Sequence, residues 1–169
     1  DPDQGIAWKE ILRVAGTLRE RIESLGLTPF LRTTGGKGLH LVVPLVPSAE
    51  WDQAKAFAKG VAEAHAKDDP KRLTTNMSKA KREGRIFIDY LRNGRGATAV
   101  ASYTVRAREN APVAVPIRWD ELNAALRADR YNVQNLRRRL SALREDPWAG
   151  FDEAARPLEA DLLKAVGVK

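Results

Sequence analysis

Hydrophobic positions in the first half of the chain follow two periods, one helical and one extended. Trp8, Ile11, Leu12, Ala15, Leu18, Ile22 and Leu25 recur at steps of three and four residues, which predicts an amphipathic helix over about residues 6–25. Gly26 follows where a helix commonly ends in a left-handed residue, and Arg13, Arg19, Glu20 and Glu23 make up the polar face. Thr28–Arg32 and Leu39–Pro44 are apolar runs of strand length on either side of a glycine-rich segment. Ser48 is a cap for a second helix in which Trp51, Ala54, Phe57, Ala58, Val61 and His65 share one side. That helix stops near Asp68-Asp69-Pro70, because proline disfavours helical geometry in the residue before it.

Beyond Pro70 the periods are weaker. Lys71–Gly84 is polar and basic without a sustained apolar repeat, and predicts a connecting loop or mobile arm. Arg85–Tyr90 is a compact run of β-formers, with Arg85, Phe87 and Asp89 on one face and Ile86, Ile88 and Tyr90 on the other. Asn93-Gly94-Arg95-Gly96 is a turn, Ala97–Arg108 fits either strand or irregular structure, and Pro112–Ile117 predicts another strand. Asp120 would cap a helix through Leu126. Asn132 would cap a further one, striped by Val133, Leu136, Leu140 and Leu143, with Arg137, Arg138, Arg139 and Arg144 around the rest. Asp152–Val166 predicts a last helix, interrupted early by Pro157. The expected architecture is α/β (α+β): one lobe over residues 1–169 with a small mixed or antiparallel sheet flanked by helices, residues 110–169 forming its helical C-terminal part.

Composition narrows the function. A chain of 169 residues that is 43% hydrophobic can bury a core. Its apolar runs are too short to span a bilayer and its N-terminus has no export pattern, so a cytoplasmic protein with no membrane partner is expected. Without cysteine there is neither a disulfide nor a thiolate metal site, which leaves carboxylate oxygen or imidazole and favours Mg²⁺ or Mn²⁺. The net charge of +7 is concentrated in the middle of the chain: Lys71, Arg72, Lys79, Lys81, Arg82, Arg85, Arg92, Arg95, Arg106 and Arg108 share a stretch whose only acids are Glu83, Asp89 and Glu109. A nucleic-acid backbone or a nucleoside triphosphate suits such a strip, and so does plain solvation.

The segment Thr33-Thr34-Gly35-Gly36-Lys37-Gly38-Leu39-His40 carries the most chemistry. Glycines let backbone N–H groups approach an anion, and Thr34, Lys37 and His40 add hydroxyl, ammonium and imidazole donors. It lacks the spacing and following helix of a Walker A loop, and an ordinary hairpin with a solvent-facing lysine has the same pattern. Asp89, at the end of an apolar strand, suits a metal ligand or an ion pair with Arg92 or Arg85. Asp1 and Asp3 are further carboxylates. His40 lies in an apolar run as either a site residue or a hydrogen-bonded core histidine, whereas His65 reads as structural. Trp8, Trp51, Trp119 and Trp148 read as anchors of the core or an interface. Arg106 could alternate onto the face of the other donors or sit at the surface.

In order along the chain, Thr34-Gly35-Gly36-Lys37-Gly38-Leu39-His40, Gly84–Asn93, Arg95–Ala101, Val105–Arg108, Trp119-Asp120-Glu121-Leu122 and Asp146-Pro147-Trp148 resemble the polymerase domain of bacterial ligase D. The resemblance implies a catalytic lobe of the archaeo-eukaryotic primase type that adds NTP or dNTP to DNA ends and gaps with a divalent metal, often Mn²⁺, alongside Ku and the ligase domain of its parent enzyme. Residue by residue, it matches Asp89 and Asp1 to metal-binding aspartates, Thr34 to a phosphate-contacting hydroxyl, His40 to a triphosphate contact, and Arg92 and Arg106 to arginines around the nucleotide. Lys37 is a further expected contact. The resemblance puts another aspartate two residues before Asp1 and a 5′-phosphate-recognising half outside this chain, so little polymerase activity is expected from the chain alone. A noncatalytic nucleic-acid or nucleotide-binding module is the alternative.

Overall fold

The computed structural model describes residues 1–168. The first helical period forms α1 (Trp8–Ser24), which buries Ile11, Val14, Ala15 and Ile22. Gly26 ends it at φ +75°. Its N–H donates to the Glu23 carbonyl at 2.9 Å, and the Ile22 carbonyl accepts from Leu25 at 3.1 Å and Leu27 at 3.3 Å, so both carbonyls of the last turn are satisfied.

The glycine segment joins β1 (Phe30–Thr33) to β2 (Leu39–Val42) in an antiparallel hairpin, with Arg32 opposite His40 and Thr33 opposite Leu39. These strands sit within the expected runs. After α2 (Trp51–Asp68) the chain makes a second sheet of two parallel two-residue strands, β3 (Leu73–Thr74) and β4 (Ile86–Phe87). β5 (Val115–Ile117) then returns to the hairpin, antiparallel to β1, giving the order β2-β1-β5. Being central, β1 buries both its faces, polar residues included: Leu31 and Thr33 are fully covered and Arg32 is 8% exposed.

Residues of α1 contribute to both flanking cores. Ile11 and Val14 pack with Ala66, Leu73 and Ile86 near the parallel pair, while Ile22 packs with Leu27, Phe57, Val61 and Leu158. The anchor role expected of the tryptophans holds for two of them in detail. Trp119 Nε1 donates to the Pro29 carbonyl and Trp148 Nε1 to that of Leu31, each at 2.8 Å, tying the C-terminal third to β1.

Several local expectations are corrected. The basic arm contains β3, whose Leu73 is 3% exposed; two residues show no period, and their pairing with β4 was set by tertiary contact. Arg85–Tyr90 does not alternate across a long strand, because Ile86 and Phe87 are both buried. The cap of α2 is Glu50, whose N–H is accepted by Gln53 Oε1 at 2.9 Å, and Trp51 is 58% exposed instead of facing the core. The helix expected after Asp120 is a 3₁₀ turn, Trp119–Glu121. Asn132 Oδ1 accepts from the N–H groups of Gln134 and Asn135, capping a turn that precedes α3 (Leu136–Ala142). The last helix shortens to α4 (Ala160–Ala165), downstream of Pro157. No described helix is long and apolar enough to cross a membrane.

Candidate active site

The glycine loop is closed from within. Thr34 donates both its N–H, at 3.3 Å, and its hydroxyl, at 2.8 Å, to the Gly38 carbonyl. The one hydroxyl proton of Thr34 is therefore already directed into the loop, and its oxygen remains only as an acceptor. Gly35 takes φ +63°, and a Cβ there would lie 2.9 Å from Arg106 Cγ and 3.1 Å from the Val113 carbonyl carbon. Glycine is required by both backbone and space. Arg106 lies over this turn and donates from Nη1 to the Thr34 carbonyl at 3.0 Å. The Arg108 guanidinium comes within 3.7 Å of where a Gly36 Cβ would be. Two arginines from the irregular segment before β5 thus flank the loop, and Lys37 projects from it, exposed, near Asp3.

On the other side of Gly38 runs the start of the chain. A Cβ at Gly38 would sit 3.3 Å from Pro2 and 3.5 Å from the Asp1 Cα. Asp1–Asp3 extends antiparallel to β4: Asp3 N–H donates to the Arg85 carbonyl at 3.0 Å, Pro2 bridges to Ile86, and Phe87 N–H donates to the Asp1 carbonyl at 2.9 Å. Asp1 thus lies opposite Phe87, and Asp89, beyond the end of β4, is near enough to the Asp1 amino group to oppose the lowering of its pKa to about 6 by burial.

The Asp89 carboxylate is held by a local turn. Its Oδ1 accepts the Leu91 N–H at 2.9 Å, while Oδ2 faces Arg92 Nε at a long 3.7 Å. Arg92 itself is 60% exposed, so the pair is weak and Oδ2 stays available. Of the two readings of Asp89, the ion pair is present but leaves room for the other.

His40 sits between these groups. Burial, then the Arg32 guanidinium and the Asp1 amino group, pull its pKa to about 4, with Asp89 opposing and Arg106 adding to the effect. Arg32 Nη2 is 3.0 Å from His40 Nδ1. The fold therefore brings Asp1 against Gly38, Arg106 over Thr34 and Gly35, and Asp89 into the electrostatic neighbourhood of His40, and leaves Lys37 and Arg92 exposed at the margin. Arg32, Arg108 and Arg82 were not singled out as site residues from the chain. Arg82 stacks over Phe87 at 3.7 Å, beneath the Asp1 pairing. For Arg32 a signal exists, an arginine inside the apolar run Pro-Phe-Leu-Arg; for Arg82 and Arg108 there is only their membership of the basic strip.

His65 is buried on α2 as expected of a structural histidine, 3.4 Å from Thr17 Oγ1. Cavities of about 650 Å³ over His65 and about 450 Å³ beside Arg139 and Glu121 do not border the glycine loop. Among the described residues no three His, Cys, Asp or Glu side chains converge as a ready metal cage. Asp1 and Asp89, which the fold brings into one neighbourhood, nevertheless suit a hard divalent cation, since Mg²⁺ commonly takes one or two carboxylates and completes its shell with water and substrate phosphate.

Comparison with known proteins gives a consistent picture. Residues 1–148 match the family described as LigD, primase-polymerase domain. The chain is 40% identical over 168 residues to the multifunctional non-homologous end joining protein LigD of Pseudomonas aeruginosa, covering 99% of this chain and 20% of that protein. It is 34% identical over 122 residues to the corresponding protein of Mycolicibacterium smegmatis, covering 72% of this chain and 16% of that one. The chain thus spans about a fifth or less of these relatives. Among solved structures, the polymerase domain from Mycobacterium tuberculosis ligase D in complex with DNA superposes with a TM-score of 0.83 at 32% identity, over 92% of this chain and 53% of that one.

Proposed function

This chain belongs to the LigD primase-polymerase domain family, and on that premise we propose that it is the nucleotidyl-transferring lobe of a bacterial end-joining repair polymerase. Its substrates in this reading are an NTP or dNTP and the 3′ end of gapped or broken DNA, and its partners are Ku and the ligase domain of the parent enzyme, working at DNA in the cytoplasm. The observation that supports the reading is the approach of Asp1 to Gly38, of Arg106 to Thr34 and Gly35, and of Asp89 to His40, groups drawn from distant parts of the chain.

Each residue has a physical task. Arg106, anchored to the Thr34 carbonyl, and Arg108, beside Gly36, offer charge to a triphosphate lying against the loop. His40 is neutral at physiological pH and offers a hydrogen bond without adding charge. Thr34 acts first by shaping the loop, Lys37 and Arg92 by neutralising phosphate from the margin. Asp1 and Asp89 would hold Mg²⁺ or Mn²⁺. When bound, that cation supplies charge neutralisation at the phosphates and acidifies the attacking 3′-hydroxyl.

Substitution Asp89→Ala in the polymerase domain carrying this lobe tests the proposal against a purely binding role. Nucleotide addition to gapped DNA with Mn²⁺ should fall by about 100-fold or more, the effect of losing a metal-held charge interaction, with DNA affinity unchanged. Undiminished addition would mean that the lobe binds nucleic acid or nucleotide without contributing the chemistry.

A further inference from the structure

Arg32 is an oddity of the core. It lies on the central strand, is 8% exposed, and among the described residues has no carboxylate within ion-pair distance. Burying an arginine without an acid is costly, and such a cation persists only where its donors are used. Three contacts fix its orientation. Nη1 donates to Ser102 Oγ at 3.2 Å, the guanidinium lies 5.7 Å from the centre of the Trp148 ring, and Nη2 points at His40 Nδ1 at 3.0 Å. Nε has no partner.

The chemistry of the last contact is one-sided. A guanidinium has donors and no acceptor, so a 3.0 Å contact with Nδ1 requires a lone pair on that nitrogen. The imidazole proton must then be on Nε2. Cross-strand pairing of Arg32 with His40 makes the arrangement a property of the hairpin register and not of a chance rotamer.

We infer that Arg32 is a positioning residue for this site: it holds His40 in the neutral tautomer protonated at Nε2, so that the ring meets a triphosphate oxygen as a hydrogen-bond donor. The triphosphate half of this inference rests on the function proposed above; the tautomer does not. In the other tautomer the ring would turn an unprotonated nitrogen toward phosphate, and two acceptors would face each other. Ser102 and Trp148 serve the same end by keeping the guanidinium from rotating away.

The test uses this chain, labelled with ¹⁵N, in two-bond proton–nitrogen correlation spectra at neutral pH without ligand. His40 should show protonated Nε2 and unprotonated Nδ1 in the native chain and in Arg32→Lys, which still presents only donors. Arg32→Met should give a mixture of tautomers. Protonated Nδ1 in the native chain overturns the inference, as does an unchanged tautomer in a folded Arg32→Met variant. Should Arg32→Met not fold, the native and Arg32→Lys spectra still decide. ATP titrated in the presence of Mn²⁺ should bind Arg32→Met and His40→Ala about ten- to a hundredfold more weakly, the range for one hydrogen bond to a charged group. If the tautomer shifts while neither variant loses ATP affinity, the triphosphate role of His40 fails and its control by Arg32 stands.

Discussion

At the scale of single residues, the two histidines set a pH dependence whose sign follows from their environments. Burial, followed by Arg32 for His40 and by Arg21 for His65, lowers both pKa values, that of His40 to about 4. A folded-state value below the unfolded 6.5 means that the unfolded chain takes up protons first as pH falls. The stability these neutral rings sustain is complete above about 6.5 and is lost as pH descends toward 4. Asp3 and Asp69, held low by a backbone N–H and by Arg72 respectively, are lost only further down. Urea midpoints should therefore decline gently from pH ~8, because burial lowers the Asp1 amino group to about 6, and further between pH ~6.5 and ~5, where the fall is less steep in a folded His65→Gln variant. A level midpoint across that interval would contradict the burial of both rings. Thr34, His40 and Asp89 were visible in the sequence because their functional groups are unusual in apolar or glycine-rich surroundings. Arg32 left only the faint mark of an arginine in an apolar run, since what sets it apart is a cross-strand neighbour and the lack of an acid, and neither is a property of adjacent residues.

At the scale of elements, long periodic helices were legible and short ones were not. α1 shows a repeat over five turns and a glycine stop, whereas α4 has six residues and is held by packing on α2. That packing passes through Gly60, where a Cβ would overlap the Val166 carbonyl oxygen and lie 2.8 Å from its Cγ2. Gly60→Ala improves helix propensity by about 1 kcal/mol and so would stabilise an isolated α2. In this fold the overlap should win: a net loss of roughly 1–3 kcal/mol, with faster amide exchange confined to α4, is expected. A more stable variant with α4 protection intact would show that the two helices do not touch closely. α3 depends likewise on a distant tie, for Arg139 donates to Glu121 at 2.6 and 3.1 Å, to the Tyr131 hydroxyl at 2.9 Å and to the Pro116 carbonyl at 3.0 Å. None of these partners lies within its own helix.

At the scale of the whole molecule, charge and topology act together. Lys79 and Lys81 are exposed on the turn between β3 and β4. DNA affinity should fall steeply with salt, and Lys79→Ala with Lys81→Ala should reduce the slope of log affinity against log salt by about 0.9 for each duplex phosphate contact removed. An unchanged slope would mean that this turn does not face DNA. What the sequence determined by itself was local: amphipathic helices from periodicity, the glycine hairpin from its backbone freedom, a basic strip from composition, and family membership from ordered motifs. What only the tertiary structure decided was non-local. Asp1 lies against β4, β3 appears within a polar arm, Arg106 covers Gly35, and Arg32 reaches His40. The physical reason is that a period reports which face of an element is apolar, while strand pairing and the burial of polar groups depend on partners tens of residues away.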